Sequence, residues 1–503
     1  MSRHLPKIKW SIYLIIFIGI ILRGQTAWIN HDEAQFMASA WMIKTQGLYP
    51  ILDFVYYHQP TYSLLQAFLI GLVDSHYLQI VRLFTSLFVV LSLWLILHFV
   101  GKDIKKAGGN LWERFLLPVT FALLLGGAFS TLTGITSWNH AFPTFLLLLA
   151  FYVVGRSHEH YRPYIIAVAG ISFALAVGFR ASLAPMLVPI FVALFFYKLG
   201  LKKRLVHALA FFIGCLLGSI PVFIYMAIDF DAYFFNVYEF HTEFDQAYLE
   251  FRGSGRTLSS RLGFATKQFF GTPNAYFSYG SLALIIVFIL GWIKGRARIG
   301  FRLWFWTTAF VMSIIGAVMK NVTFEQYYYL PILLAGIWVA EMYVRSNWSL
   351  RHWGLRVTFV VAIIFQFDIN SLYRRLGREM KDGVFVTGAH NEGVAIRQLA
   401  GEGPVLTLAP EFPIEGGCTI YPEFVTAPFA YRTRDFVPEE YRDKYNVIGL
   451  ADLENYLANK SPAAVYTGWE NELDEGLEEW ASENGYEMVI TPMEKRLWVR
   501  PER

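Results

Sequence analysis

Charged side chains are scarce in this chain. They make up 16% of its 503 residues, where a soluble domain carries about 25%. That deficit excludes a disordered chain, a coiled coil and an ordinary cytosolic enzyme. Cysteine is nearly absent as well. Cys215 and Cys418 are the only two, too few for a disulfide scaffold or a cysteine-built metal cluster. One lies in an apolar run and the other in a polar tail, so no bridge between them is expected. The sequence has no phosphate loop, dinucleotide fingerprint or zinc spacing, and no nucleic-acid signal. What it has is apolar surface: 55% of residues are hydrophobic and 17% aromatic, and the mean hydropathy is +0.40. These figures describe a polytopic membrane protein.

The net charge of +4 hides two unlike parts. Residues 1–379 hold 32 Lys and Arg against 17 Asp and Glu, whereas residues 380–503 hold 11 against 22. The apolar runs stop near residue 370. The division expected is therefore a basic membrane domain, 1–379, followed by an acidic soluble domain, 380–503, long enough to bury its own core. A span needs about 20 mostly apolar residues. Eleven candidates are found, at 10–28, 80–101, 115–132, 141–155, 163–179, 182–198, 205–228, 278–293, 303–319, 328–344 and 355–370. With a cytoplasmic N-terminus, every inner loop carries basic residues, among them Lys7 and Lys9, Lys105 and Lys106, Lys202 and Lys203, and Arg296 and Arg298. The long outer loop 29–79 has only Lys44. That alternation fits the positive-inside rule and an odd number of spans, which puts the acidic domain outside. The first span reads as a retained signal-anchor, because Arg23 interrupts the signal-peptide pattern.

The outer loop has helical pattern of its own. Residues 33–46 repeat apolar side chains at helical spacing and stop at Gly47, and residues 61–73 are apolar but too short to cross. Both are expected as juxtamembrane helices at the interface. The tail alternates strand-like runs at 404–409, 463–469 and 487–491 and a last one near 496–500 with helix-like runs. It is expected to be a small α/β domain.

The stretch that carries chemistry is Asn30-His31-Asp32-Glu33, just past the first span. Two adjacent carboxylates at a membrane surface are costly unless they have a role. Asn30 and Glu33 also have capping-box spacing, and acids suit a helix N-terminus, so the pair reads equally well as a helix start. Further on come Asp53, then Tyr57-His58-Gln59-Pro60, then Arg82, and Tyr327-Tyr328-Tyr329-Leu330-Pro331 opens a late span.

In order and topology these motifs resemble the GT-C membrane glycosyltransferases. The branch resembled is the dolichyl-phosphate-mannose–protein mannosyltransferase-like one, which includes bacterial aminoarabinose and galacturonic acid transferases of lipid A. The resemblance covers about 370 residues and is strongest over 30–101. It implies a GT-C-like fold of about eleven transmembrane helices with juxtamembrane helices, and an enzyme that moves one sugar from a polyprenyl-phosphate donor to an acceptor hydroxyl at the outer face. It implies that Asp32 is the general base, with Glu33 beside it. An acceptor hydroxyl is a poor nucleophile, so a carboxylate takes its proton as the bond forms. One in-line displacement inverts the anomeric centre, and cations stabilise the phosphate that leaves.

Candidate donor-phosphate and substrate contacts are His58, Arg82, Asn139, His140, Arg180, Arg256, Lys267 and Tyr328. Six have a plainer reading: helix-end snorkelling for Arg82 and Arg180, a solvated face for Arg256 and Lys267, an interfacial belt for Tyr328 and a satisfied interfacial histidine for His140. The chain departs from its relatives at His58-Gln59, where some carry Glu-Lys, and at Ser137-Trp138-Asn139-His140, where many carry an aspartate. The chemistry requires no cofactor. Asp32, Glu33, Asp53 and His58 are metal-ligating types, so a divalent metal stays open. The partners implied are the lipid-linked donor, a lipid, glycan or protein acceptor, and membrane lipid. The place implied is a bacterial inner membrane, with the tail periplasmic or extracellular. A secondary transporter and a non-catalytic envelope scaffold are the competing classes. Charges at span ends and the lack of an internal repeat weigh against a transporter.

Overall fold

The computed structural model describes residues 5–29, 31–129, 135–156, 162–196, 200–253, 257–271, 275–319, 324–346, 350–368, 380 and 383–501. Among the described residues, all eleven apolar runs fall on helices. The first four helices are α1 (Leu5–Thr26), α2 (His31–Gln46), α3 (Pro60–Gly71) and α4 (Tyr77–Lys106). By length and composition Lys7–Thr26, Tyr77–Lys106, Phe301–Val318 and Glu325–Arg345 suffice to cross a membrane, and Leu201–Gly218 with Ile220–Ile228 form a fifth if that pair, bent by 51°, is one span. Shorter apolar helices such as Ala141–Val154 fall below the length expected of a simple span, since 14 residues rise only about 21 Å against a core of about 30 Å. Pro163–Phe179 turns at Arg180 and runs on through Ala181–Met186 into Leu187–Phe196.

Helix packing follows from small residues. A Cβ on Gly170 would lie 2.1 Å from the carbonyl oxygen of Phe211, and one on Gly214 would lie 2.0 Å from that of Ala167. Only glycine lets those two helices touch through their backbones. Charges inside the bundle are paired at the end away from the tail: Asp103 takes Arg156 at 2.8 Å and also Arg302, and Glu113 takes Arg351 at 2.9 Å.

The two helices expected in the outer loop form, and α2 is enclosed by its neighbours. Ala34, Met37, Ala38, Ala40 and Met42 are all fully buried. Helix α2 is enclosed by α3 and by the tail. Ser39 Oγ and Ser63 Oγ meet at 2.5 Å, and Trp41 Nε1 donates to the carbonyl of Cys418 at 3.0 Å. Pro60 starts α3, where its missing N–H costs nothing.

The tail is an α/β unit with strand order β2-β1-β3-β5-β4. Its strands are β1 (Pro404–Thr407), β2 (Thr419–Ile420), β3 (Ala464–Thr467), β4 (Glu487–Ile490) and β5 (Arg496–Val499). Strand β1 pairs in parallel with β2 and β3, and β5 is antiparallel to both β3 and β4. The short β2 and the helix Phe385–Ala400 add to the elements expected from the sequence. Tyr466 donates to Glu392 at 2.8 Å, which ties that helix to the sheet. The boundary expected between residues 379 and 380 lies at the edge of a stretch outside the described residues.

Candidate active site

The acid pair opens α2, and its two members face different partners. Glu33 is fully buried. Its Oε1 accepts from Arg82 Nε at 2.8 Å and from the Ser137 N–H at 2.7 Å, and its Oε2 accepts from Arg82 Nη2 at 2.6 Å. Arg82 Nη1 donates to the carbonyls of Ala27, at 2.6 Å, and Gly24, at 3.3 Å. All three guanidinium nitrogens are thus engaged, and Arg82 is as buried as Glu33. Arg82, expected as a phosphate contact, is a strut in this structure. It ties together the end of α1, the start of α2 and the loop at 137.

Asp32 is half-buried. It lies near enough to Arg180, Tyr327 and Glu470 for their charges to act on one another. Arg180 caps the helix Pro163–Phe179, where the chain turns. Its Nη1 donates to Asn139 Oδ1 at 3.0 Å and lies 2.7 Å from His140 Nε2, and its Nε donates to Ser182 Oγ at 3.0 Å. Asn139 Nδ2 in turn donates to the carbonyl of Phe179 at 3.4 Å. The Arg180 guanidinium sits 5.7 Å from the ring centre of Tyr327. Three expected residues, Asn139, His140 and Arg180, therefore form one cluster.

A small cavity of about 30 Å³ opens beside this cluster. Arg180, His140, Thr144, Ser182, Ser313, Gln326, Tyr327 and Tyr329 line it with polar atoms, and Leu183, Met186, Ala317, Leu330 and Pro331 with apolar ones. A cation among mixed polar and apolar side chains suits an anionic group carried on a hydrocarbon chain.

Other expected residues lie elsewhere. Tyr328 is buried between Phe264 and Phe269, at centroid distances of 5.9 and 6.2 Å. The tyrosines at the cavity are its two neighbours, Tyr327 and Tyr329, and a 3-10 turn at Glu325–Tyr328 precedes the helix. His58 stacks on Phe36 at 5.0 Å and lies 5.7 Å from His241. Lys267 is exposed on the helix Leu258–Phe270. Asp53 is exposed and accepts from the Tyr49 N–H at 2.6 Å, closing a turn. Arg256 and Asn30 lie outside the described residues. Among the described residues no three His, Cys, Asp or Glu side chains are grouped to hold a metal ion.

The tail adds groups that the sequence did not point to. Glu411 and Glu470 follow the carboxyl ends of the adjacent parallel strands β1 and β3, a switch point where such sheets bind ligands. Burial pushes Glu470 up to about 7, and Asp474 and Asp32 add to the rise. Burial raises Glu411 well above the usual carboxyl range, helped by Glu470 and Glu33. Trp28, just before the acid pair, packs on Phe385 at 5.0 Å and Trp469 at 5.7 Å. The tail thus roofs the acid pair.

No family model and no curated protein matches the chain. Solved structures match in fold, two of them as follows. One is ArnT from Cupriavidus metallidurans bound to undecaprenyl phosphate, with a TM-score of 0.61 and 11% identity over 98% of this chain and 99% of that one. The other is the same protein in the apo state, with a TM-score of 0.63 and 11% identity over 98% of each chain. From end to end the chain has the ArnT fold, the helical membrane architecture with a C-terminal domain that its motifs resemble.

Proposed function

We propose that this chain is an inverting glycosyltransferase. It moves one sugar from a polyprenyl-phosphate donor to an acceptor hydroxyl, with Asp32 as general base. The observation that carries this reading is Arg180, clasped by Asn139 and His140 beside a small cavity, with Asp32 within electrostatic reach. The ArnT structure of the same fold holds undecaprenyl phosphate, which is a ligand of the chemistry this site suits.

In the transfer, Asp32 accepts the proton of the acceptor hydroxyl. The oxygen attacks the anomeric carbon from the face opposite the phosphate, and the bond from that carbon to the phosphate oxygen breaks. Arg180 takes up the negative charge on the leaving phosphate, and Tyr327 stands beside it. Glu33 takes no proton in this scheme, because its carboxylate is engaged with Arg82 and the Ser137 N–H. It is a positioning residue. The membrane domain is 1–379 and the tail 380–503. The setting is a bacterial inner membrane with the N-terminus cytoplasmic and the tail periplasmic.

The test is a mass-spectrometric comparison of envelope glycolipids, glycans and polyprenyl-phosphate sugars. The strains are wild type, a deletion, and the deletion carrying wild type or Asp32→Asn. One sugar mass is expected to leave an acceptor in the deletion and to return with wild type alone. Full restoration by Asp32→Asn would remove Asp32 from the mechanism.

A further inference from the structure

One short stretch of the tail grips both helices of the acid pair and its strut. Glu415 ends the helix Glu411–Glu415, and its Oε1 accepts from the Leu78 N–H at the start of α4. Its Oε2 lies 3.2 Å from His390 Nδ1. The His390 ring stacks on His76, with centroids 3.9 Å apart and planes at 18°. Three residues on, the Cys418 carbonyl accepts from Trp41 of α2 at 3.0 Å. Trp41 also packs on Tyr77, at 5.0 Å.

A helix start leaves its first N–H groups without partners, and the preceding residue's side chain usually supplies one. At α4 that does not happen. His76 occupies the cap position in the left-handed region, at φ 60° and ψ 44°, and makes no side-chain cap bond. Glu415 takes over from another domain, and a carboxylate there also suits the helix dipole. Arg82 lies one turn further along α4. The contacts run from Glu415 to Leu78, from Arg82 to Glu33, and Glu33 directly follows Asp32. The charged and titratable groups around Glu415 are His76, Tyr77 and Arg82 from α4 and His390 from the tail. Burial pushes Glu415 up to about 7.

We propose that Glu415 is a positioning residue for the transfer: by capping α4 from the tail, it fixes where Arg82 holds Glu33 and so where Asp32 stands. The proposal rests on the reading of Asp32 as base. It gives the tail a part in the reaction without any contact to substrate.

The test uses the full chain in nanodiscs and in the deletion strain, with three readouts. These are amide exchange over residues 78–82, binding of undecaprenyl phosphate, and the amount of transferred sugar mass in cells. Glu415→Ala is expected to speed the exchange, leave undecaprenyl phosphate binding within about twofold, and lower transfer about tenfold, the size of a lost cap. Glu415→Gln keeps an oxygen for the Leu78 N–H and is expected to match wild type in all three. Trp41→Phe removes only the second hydrogen bond of the grip. It is expected to move exchange and transfer the same way by about threefold, and it stands in if Glu415→Ala fails to insert. Unchanged transfer in Glu415→Ala with faster exchange overturns the proposal, and so does equal damage from Gln and Ala. Asp32→Asn separates the two readings. If that variant still transfers sugar, the base assignment fails, whereas exchange over 78–82 still decides whether Glu415 sets α4.

Discussion

Glu33 and Arg82 meet through two parallel hydrogen bonds, 2.8 and 2.6 Å long, where solvent reaches neither side chain. Asp32, one residue earlier, is half-buried and lies within electrostatic reach of Arg180. A helix turns about 100° per residue. Two neighbours at its first turn can thus serve different ends, one tying α1, α2 and the loop at 137 together and the other, in the proposed reaction, taking the proton.

The strut predicts a large stability effect. Arg82→Ala leaves the Glu33 charge buried without its partner, which costs about 3–5 kcal/mol. Glu33→Leu with Arg82→Met removes both charges and is expected to recover much of that loss. Thermal unfolding of the detergent-solubilised protein measures both. A single variant as stable as wild type would mean that the pair contributes nothing to the fold.

Arg180 has the opposite profile. It is half-buried at a cavity mouth, so its removal strands no buried partner charge. A hydrogen bond to a charged group contributes about 1.5–3 kcal/mol, so Arg180→Ala is expected to weaken undecaprenyl phosphate binding about 10- to 100-fold. Arg180→Lys keeps the charge but loses the fork that holds Asn139 and Ser182 together, and is expected to fall between. Arg180→Ala also takes a partner from buried Asn139 and His140, so stability falls by about 1–3 kcal/mol, less than for Arg82→Ala. Affinity unchanged in Arg180→Ala would place the phosphate elsewhere.

The eleven apolar runs were legible because burial in lipid demands about 20 apolar residues and leaves a plain hydropathy signal. The tail strands were legible from β-branched and aromatic runs. The acid pair was legible too, since carboxylates at a membrane edge stand out. The division of labour inside it was not. It depends on Arg82, 49 residues on, and on the Ser137 N–H, 104 residues on. Asn139, His140 and Arg180 carried signals as single residues, but their meeting is set by how helices pack. Glu411 and Glu470 had no signal, because a tail acid looks like solubility until the tail is docked. The burial of α2 was missed for the same reason: its cover comes from residues near 418.

The roof carries a pH dependence. Burial raises Glu470 to about 7, with Asp474 and Asp32 adding to the rise and Arg432 opposing it, against an ordinary glutamate near 4.3. A raised carboxyl favours the protonated folded state. Its contribution is complete below about pH 4.3 and is lost as pH rises to about 7. Glu470→Gln is expected to flatten the fall of the unfolding midpoint between those values. A difference between variant and wild type that does not change with pH would show that Glu470 titrates normally.

Tyr327 and Tyr328 are adjacent, yet opposite outcomes are expected of them. Tyr327 lines the cavity beside Arg180, and its hydroxyl is a donor that a leaving phosphate can use. Tyr327→Phe keeps the ring and removes that donor. Losing one neutral donor costs about 0.5–1.5 kcal/mol, so transfer is expected to fall several-fold while the unfolding midpoint stays put. Tyr328 is fully buried between Phe264 and Phe269. Tyr328→Ala opens a cavity in that packing and costs about 3–5 kcal/mol, while the folded fraction keeps its affinity for undecaprenyl phosphate. The pair of measurements fixes the register of the turn at Glu325–Tyr328. If Tyr328→Phe alone lowered transfer and Tyr327→Phe did not, the turn would be placed one residue out, and the lining of the cavity would have to be rebuilt around Tyr328.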